Sequence, residues 1–187
     1  MRRFFRVTIV AVACAATSAG EANAQDVRGD VAAGYSALSS STGGLPLGWF
    51  VSAGGNVTEN LGVAAEVSGN YRSVTSDPTG VTTSRHEHSI LAGPRLVLAG
   101  SDKQSVFAHL LLGAANASIT STGTVGRTTV TTTTSDTVIC FEPGLGVDLD
   151  FNAATSLRVE ANYRYLTRSG SVGEFQFVVG VAHRFLR

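Results

Sequence analysis

Hydrophobic and polar residues alternate with period two through most of the chain. Between Leu157 and Arg168, one set of positions holds Leu157, Val159, Ala161, Tyr163 and Tyr165, and the other holds Arg158, Glu160, Asn162, Arg164 and Arg168. Successive side chains of a strand point to opposite faces, so the segment predicts a β-strand with one greasy and one charged face. The same split runs through Leu45 to Val57, Leu61 to Arg72, His86 to Leu98, Ile139 to Leu149 and Phe175 to Phe185. Asp30 to Leu38 adds a shorter strand, and Val106 to Ile119 mixes both registers, which a bulge would explain. After Val27 no segment keeps helical spacing without an interrupting Gly or β-branched cluster. The expectation is an all-β chain of eight strands.

Most of these strands exceed the ~5–6 residues usual in soluble sheets and match the ~9–11 residues of a tilted membrane-crossing strand. Connectors at Thr58 to Asn60, Gly100 to Gln104 and Asp150 to Thr155 are short, whereas Ser76 to Arg85 and Thr120 to Asp136 read as long loops. An even strand number with short turns on one side predicts an eight-stranded antiparallel up-and-down transmembrane β-barrel. Period alone fits a soluble barrel equally well, with the apolar face turned inward around a small apolar ligand. Two features favour the membrane arrangement. The polar face carries small residues such as Gly48, Gly54, Gly62, Gly144, Gly146 and Gly180, which suits a cramped interior, and the aromatics sit on the apolar face. Trp49, Tyr71, Tyr163, Tyr165, Phe175, Phe177 and Phe185 are the expected aromatic girdle.

Composition adds the compartment. Three arginines in Met1 to Arg6, an apolar Val7 to Ala19 and the small-x-small Ala22-Asn23-Ala24 predict a secretory signal over residues 1–24, cut before Gln25 and followed by a barrel domain over 25–187. Its removal takes away Arg2, Arg3, Arg6 and Glu21. From 14 basic and 14 acidic groups, 11 and 13 remain, a net charge of −2 with no basic patch for nucleic acid. Cys140 becomes the only cysteine, so no intramolecular disulfide forms. If the charged face lies inside, its charges must be paired, because an isolated buried charge costs several kcal/mol. The candidates are Arg72, Arg95, Arg158, Arg164, Arg168 and Arg184 against Glu66, Glu87, Glu142, Asp148, Glu160 and Glu174. Six against six predicts an ion-pair plug, and a preference for Arg over Lys suits forked pairing in a confined space.

The stretches DVAAGY (Asp30 to Tyr35), LPLGW (Leu45 to Trp49), HSILAGPR (His88 to Arg95), FAHLLLG (Phe107 to Gly113) and VGVAHRF (Val179 to Phe185) resemble the small outer-membrane β-barrel family, the OmpA/OmpX-like group. The resemblance implies a bacterial outer-membrane location, contact with outer-membrane lipid and insertion by the barrel-assembly machinery. That family usually ends on an aromatic residue, and here Leu186 and Arg187 follow Phe185. It implies a structural, adhesion or envelope-integrity role. Some eight-stranded members are lipid-modifying enzymes, and one class places a histidine two residues before its serine. In this chain His88 and Ser89 are adjacent and face opposite ways.

Other chemistry is sparse. His86 and His88 share a strand face, but no carboxylate or cysteine at ligand spacing completes a metal site, and no cofactor motif occurs. The threonine-rich run Thr128 to Thr134 lies in the longest connector, Thr120 to Asp136, which is the expected contact for an extracellular partner. Threonine favours extended backbone, so this connector is either a sheet projecting past the membrane with exposed edges or a disordered polar loop.

Overall fold

The computed structural model describes residues 29–40, 43–77, 79–101, 103–167 and 172–185. The expected signal segment lies outside them. Eight strands follow one another: β1 (Gly29–Ser40), β2 (Leu47–Asn56), β3 (Leu61–Ser76), β4 (Val81–Ser101), β5 (Gln104–Val125), β6 (Thr128–Asp150), β7 (Thr155–Leu166) and β8 (Val172–Phe185). Each pairs antiparallel with its sequence neighbours, and β1 pairs with β8 from Gly29↔Phe185 to Ser40↔Glu174, which closes the barrel. Among the described residues there is no helix. Closure removes the open edges that an eight-stranded sheet would otherwise expose.

The turns Val57–Asn60 and Phe151–Ala154 and the β4–β5 connection lie at one end, here called the base, where β1 begins and β8 ends. The opposite end is the crown. Outward positions are apolar: Leu47, Val63, Ile90, Leu112, Leu145 and Phe175 are all more than half exposed. Inward positions carry Glu66, Glu87, Glu142, Arg158 and Arg164, each at most 2% exposed. This settles which face is outside and removes the soluble-carrier arrangement, since an apolar ligand would meet a charged lumen.

Two sequence expectations change. The mixed register of Val106 to Ile119 is not a bulge in that strand, because β5 pairs with β6 without a shift from Gln104↔Leu149 to Val125↔Thr128. The irregularity is in β4, between Val97 and Ala99. β5 looks mixed because its inward face is itself partly apolar, with Phe107, Leu111 and Ala115 buried beside His109. Leu111 and Ala115 pack with Leu91, Cys140 and Leu166, and a second inward cluster joins Ala32, Phe50, Val178 and Ala182.

The expected loop Ser76 to Arg85 is mostly strand, and of the two forms expected for Thr120 to Asp136 the structure takes the projecting sheet. β3 and β4 pair up to Ser76↔Val81, and β5 and β6 up to Val125↔Thr128, with only Gly126 and Arg127 between. Gly126 has φ +65°, the backbone required at the first central position of a tight two-residue hairpin turn.

Candidate functional site

The lumen is filled from base to crown by charged and polar side chains delivered by alternate residues of facing strands. At the base, Arg95 on β4 forks onto Asp30 on β1, with Nη1 donating to Oδ1 at 3.1 Å and Nη2 bonding Oδ2. Arg158 on β7 donates from Nε and Nη2 to the two oxygens of Asp148 at 2.8 and 2.9 Å, and its Nη2 lies 3.0 Å from Asp30. Both guanidinium groups lie over the Phe107 ring, that of Arg95 at 5.6 Å and that of Arg158 at 5.0 Å from its centroid. Gly54 makes room for this layer, since a Cβ there would fall 2.7 Å from Arg95 Nη1. Nearest the rim, Arg184 donates to Asp150 at 2.8 Å and to Asp148 at 3.4 Å.

At mid-barrel Arg164, 1% exposed, pairs with Glu142, with Glu66 at 3.2 Å and with Glu87 at 4.0 Å, and donates to Ser68 Oγ at 2.8 Å. Gln176 Nε2 donates to Ser36 Oγ at 2.9 Å and Glu66 Oε1 at 3.3 Å, tying β8, β1 and β3 together. Glu160 sits 3.8 Å from Arg158 Nε. Toward the crown, Arg85 bonds Glu174 at 3.3 Å. The free space follows this packing. A cavity of about 560 Å³ opens at the base around Asp30, Glu59, Asp150 and Arg184. The next space inward, lined by Glu66, Arg95, Phe107 and His109, holds only about 10 Å³, no more than about one water.

Eleven of the twelve residues expected in the lumen are described, and ten of them line it. Arg72 is the exception: it is exposed beyond the point where β2 stops pairing with β3, and its Nη1 donates to Gly44 O at 3.1 Å. That expectation is corrected, because period two assigns a face but not a height. Arg168 lies outside the described residues. Asp30, Arg85 and Asp150 were missed by the sequence reasoning, and Asn162 and Gln176, on the polar faces of their strands, join the network as neutral bridges that an ion-pair count does not include. With them, eight described carboxylates meet five described arginines, so the lumen is not balanced group for group and single arginines serve several acids. Arg72→Ala should leave the unfolding midpoint within about 0.5 kcal/mol of wild type, as read by urea titration in detergent micelles.

All seven residues expected in the girdle point outward, between 38% and 65% exposed. Trp49 Nε1 donates to Tyr71 Oη at 3.2 Å, and Tyr163 meets Phe175 edge-on at 5.0 Å. Tyr165 joins this crown-side group, Phe177 lies deeper along β8, and Phe185 is at the base. His88 is outward against Tyr71 and His86, whereas Ser89 is inward, 4% exposed, with its hydroxyl 2.8 Å from Ser68 Oγ. Among the described residues no cluster of three metal-ligating side chains occurs.

Above the crown the barrel wall continues as a four-stranded sheet. β2 stops pairing with β3 at Leu47↔Tyr71, and β7 reaches only Cys140↔Leu166 on β6, while β3 to β6 run on. Hydroxyl pairs stitch this sheet together: Ser73 with Ser84, Thr120 with Thr133 and Thr122 with Thr131 at 3.1 Å, and Thr75 with Thr82 at 3.0 Å.

This architecture has solved counterparts. Ail, the attachment invasion locus protein of Yersinia pestis, superposes with a TM-score of 0.64 at 16% identity, covering 86% of this chain and 100% of that one. A further Ail structure holds the heparin analogue sucrose octasulfate. Neisserial surface protein A gives a TM-score of 0.62 at 18% identity over 88% and 100% of the two chains. A major outer membrane protein of Thermus thermophilus gives 0.70 at 12% identity over 86% and 100%. Among curated proteins no sequence relative matches. Residues 7–185 match the family described as outer membrane protein beta-barrel domain. With that match over nearly the whole chain and an apolar belt around a charged lumen, the chain belongs to the outer membrane β-barrel family and resides in the bacterial outer membrane.

Proposed function

We propose that the protein is a non-catalytic surface-interaction barrel, serving adhesion or envelope integrity, whose ion-paired lumen is a plug and whose projecting sheet meets the exterior. The observation that carries this reading is the coexistence of a lumen crossed by buried ion pairs centred on Arg158 and Arg164 with strands that run well past the barrel. The plug gives transport no path, and the projection is the part that reaches beyond lipid. Trp49, Tyr71, Tyr163, Tyr165 and Phe175 serve as the crown-side girdle and Phe185 as the base-side anchor, as amphipathic or large rings do at membrane interfaces. Insertion by the barrel-assembly machinery and cleavage before Gln25 belong to the same reading.

Ail, an attachment protein by its description, is solved with a heparin analogue, which supports an extracellular ligand here as well. The surface chemistry differs from what a sulfated polymer needs. The described projection offers the exposed cations Arg72 and Arg127, beside the exposed acids Asp77 and Asp136, amid neutral threonine and serine, so contact through backbone and hydroxyl groups of a polypeptide is favoured over binding of a polyanion. A lipid-modifying enzyme is the weaker alternative, since Ser89 and His88 lie on opposite faces of β4.

The test shortens the β5–β6 hairpin by joining Thr120 to Thr133 through an Asn-Gly turn. The expected result is an unchanged heat-dependent shift in electrophoretic mobility, reporting an intact barrel, with loss of adherence of expressing cells to a panel of immobilised matrix proteins and heparin. Adherence equal to that of cells carrying the full-length chain would remove the projection from the function.

A further inference from the structure

We infer that His86 and His88, on the outward face of β4, bind one divalent transition-metal ion of the copper, nickel or zinc class at the crown-side edge of the apolar belt. The surface-interaction reading uses neither residue, so the site stands or falls separately from it.

The pair follows from the register. Residues two apart on a strand project from the same face, with their backbones roughly 6.6 Å apart. The two imidazole rings lean together, with centroids 5.9 Å apart. Two imidazoles that share an ion at about 2.0–2.1 Å from their nitrogens have centroids roughly 5 Å apart in tetrahedral geometry. A small rotation about the side-chain bonds therefore brings both onto one ion. Below them, the outward residues of β4 from Leu96 to Ile90 are apolar, so His88 is the first polar side chain on that face toward the crown, at the level where water meets the belt.

The surroundings suit a metal. Strand pairing sets Tyr71 and Ser118 beside His86, and Gly69 and Asn116 beside His88. None of the four is charged. The sequence neighbours Arg85 and Glu87 turn inward, Arg85 to Glu174 and Glu87 to 1% exposure. No carboxylate thus draws a proton onto either ring, and neutral imidazole is the form that binds metal. Two imidazolium charges this close would repel each other, whereas one dication between the rings uses a lone pair from each.

His88 is also held in place. A Cβ on Gly69 would fall 2.8 Å from His88 Nδ1 and 2.9 Å from both Trp49 Nε1 and Tyr71 Oη. The missing side chain leaves a notch where these three polar atoms converge. Trp49 Nε1 already donates to Tyr71 Oη at 3.2 Å, and the Tyr71 ring meets His88 edge-on at 5.4 Å. Tyr71 Oη is the acceptor on this side, and an Nδ1–H turned toward it leaves the Nε2 lone pair for the ion. Tyr71 is thus a positioning residue. Among the described residues no third histidine, cysteine or carboxylate joins the pair. Water completes the shell, and the ion exchanges with the medium. Imidazole donors select copper, nickel or zinc over calcium and magnesium, and copper binds most tightly in the general order.

The experiment titrates untagged full-length chain, refolded in zwitterionic detergent micelles, with Cu²⁺, using calorimetry and electron paramagnetic resonance of the bound ion. Wild type should bind one ion with the splitting of two nitrogen ligands. His86→Ala and His88→Ala should each weaken that binding at least tenfold and leave one imidazole nitrogen, with an unchanged heat-dependent mobility shift. Tyr71→Phe, which keeps the ring and removes the oxygen, should weaken it about tenfold while both nitrogens remain. His183→Ala, at an exposed histidine of the base, should bind as wild type. A wild-type chain that binds no Cu²⁺, or binding that survives loss of both His86 and His88, would overturn the inference, and wild-type affinity in Tyr71→Phe would overturn the positioning role.

Discussion

Replacement of Arg164 by methionine is expected to lower the stability of the folded barrel by roughly 3–5 kcal/mol, the range for removing one partner of a buried ion pair. The side chain is 1% exposed and stands among Glu66, Glu87 and Glu142, carboxylates from three different strands. Methionine keeps much of the volume and removes the charge. The three acids then lose their shared counter-ion, and Ser68 loses a donor. The loss is thus one of uncompensated burial and not of packing. Converting Glu142 to Gln in the same chain should recover a substantial part of it, since the neutral amide no longer needs a cation. Urea titration of the refolded protein in detergent, followed by the heat-dependent mobility shift, reads both variants. A midpoint for Arg164→Met equal to wild type would sink the plug as a source of stability.

Leu145→Arg is expected to destabilise the inserted barrel by about 2–4 kcal/mol, the cost of a cation on the lipid face near the bilayer midplane. Leu145 is 58% exposed on β6, pairs with Ala161, and lies between Phe141 toward the crown and Leu149 near the base. In a soluble barrel an exposed arginine at this position would cost almost nothing, so the substitution also measures what surrounds the outer face. Refolding into phosphatidylcholine bilayers with urea titration is the measurement. An effect below about 0.5 kcal/mol would contradict a lipid contact at this height.

The physical reason why some of this was legible and some was not lies in the range of each constraint. Period two is a local property of the pleat, so the faces of Leu157 to Leu166 and Phe175 to Phe185, and the inward direction of Glu66, Glu142, Arg158 and Arg164, were written in consecutive residues. The strand count followed from the same rule, and the outward direction of the aromatics with it. The rule failed where a face was not of one kind. β5 buries Phe107, Leu111 and Ala115 against the polar lumen, and so imitated a bulge. It also failed where both faces are wet. Residues 128–137 of β6 are exposed on either side, and the loss of alternation left a projecting sheet and a disordered loop both open.

Ion-pair partners were beyond sequence reach altogether. Arg95 meets Asp30 65 residues away, Arg85 meets Glu174 across 89, and Arg164 meets Glu66 across 98. Those distances are closed only when β1 pairs with β8 and the curved wall brings alternate residues of non-adjacent strands to the same height. Strand pairing likewise separates Arg72, which reaches the Gly44 carbonyl where β2 has ended, from Arg85, its cross-strand partner, which turns in to Glu174. The sequence by itself determined the strands, the two faces and the compartment they suit, because these depend on neighbours along the chain. The tertiary structure alone decided which charges meet, where the lumen closes and which edge of β6 remains open, because these depend on strand pairing and closure.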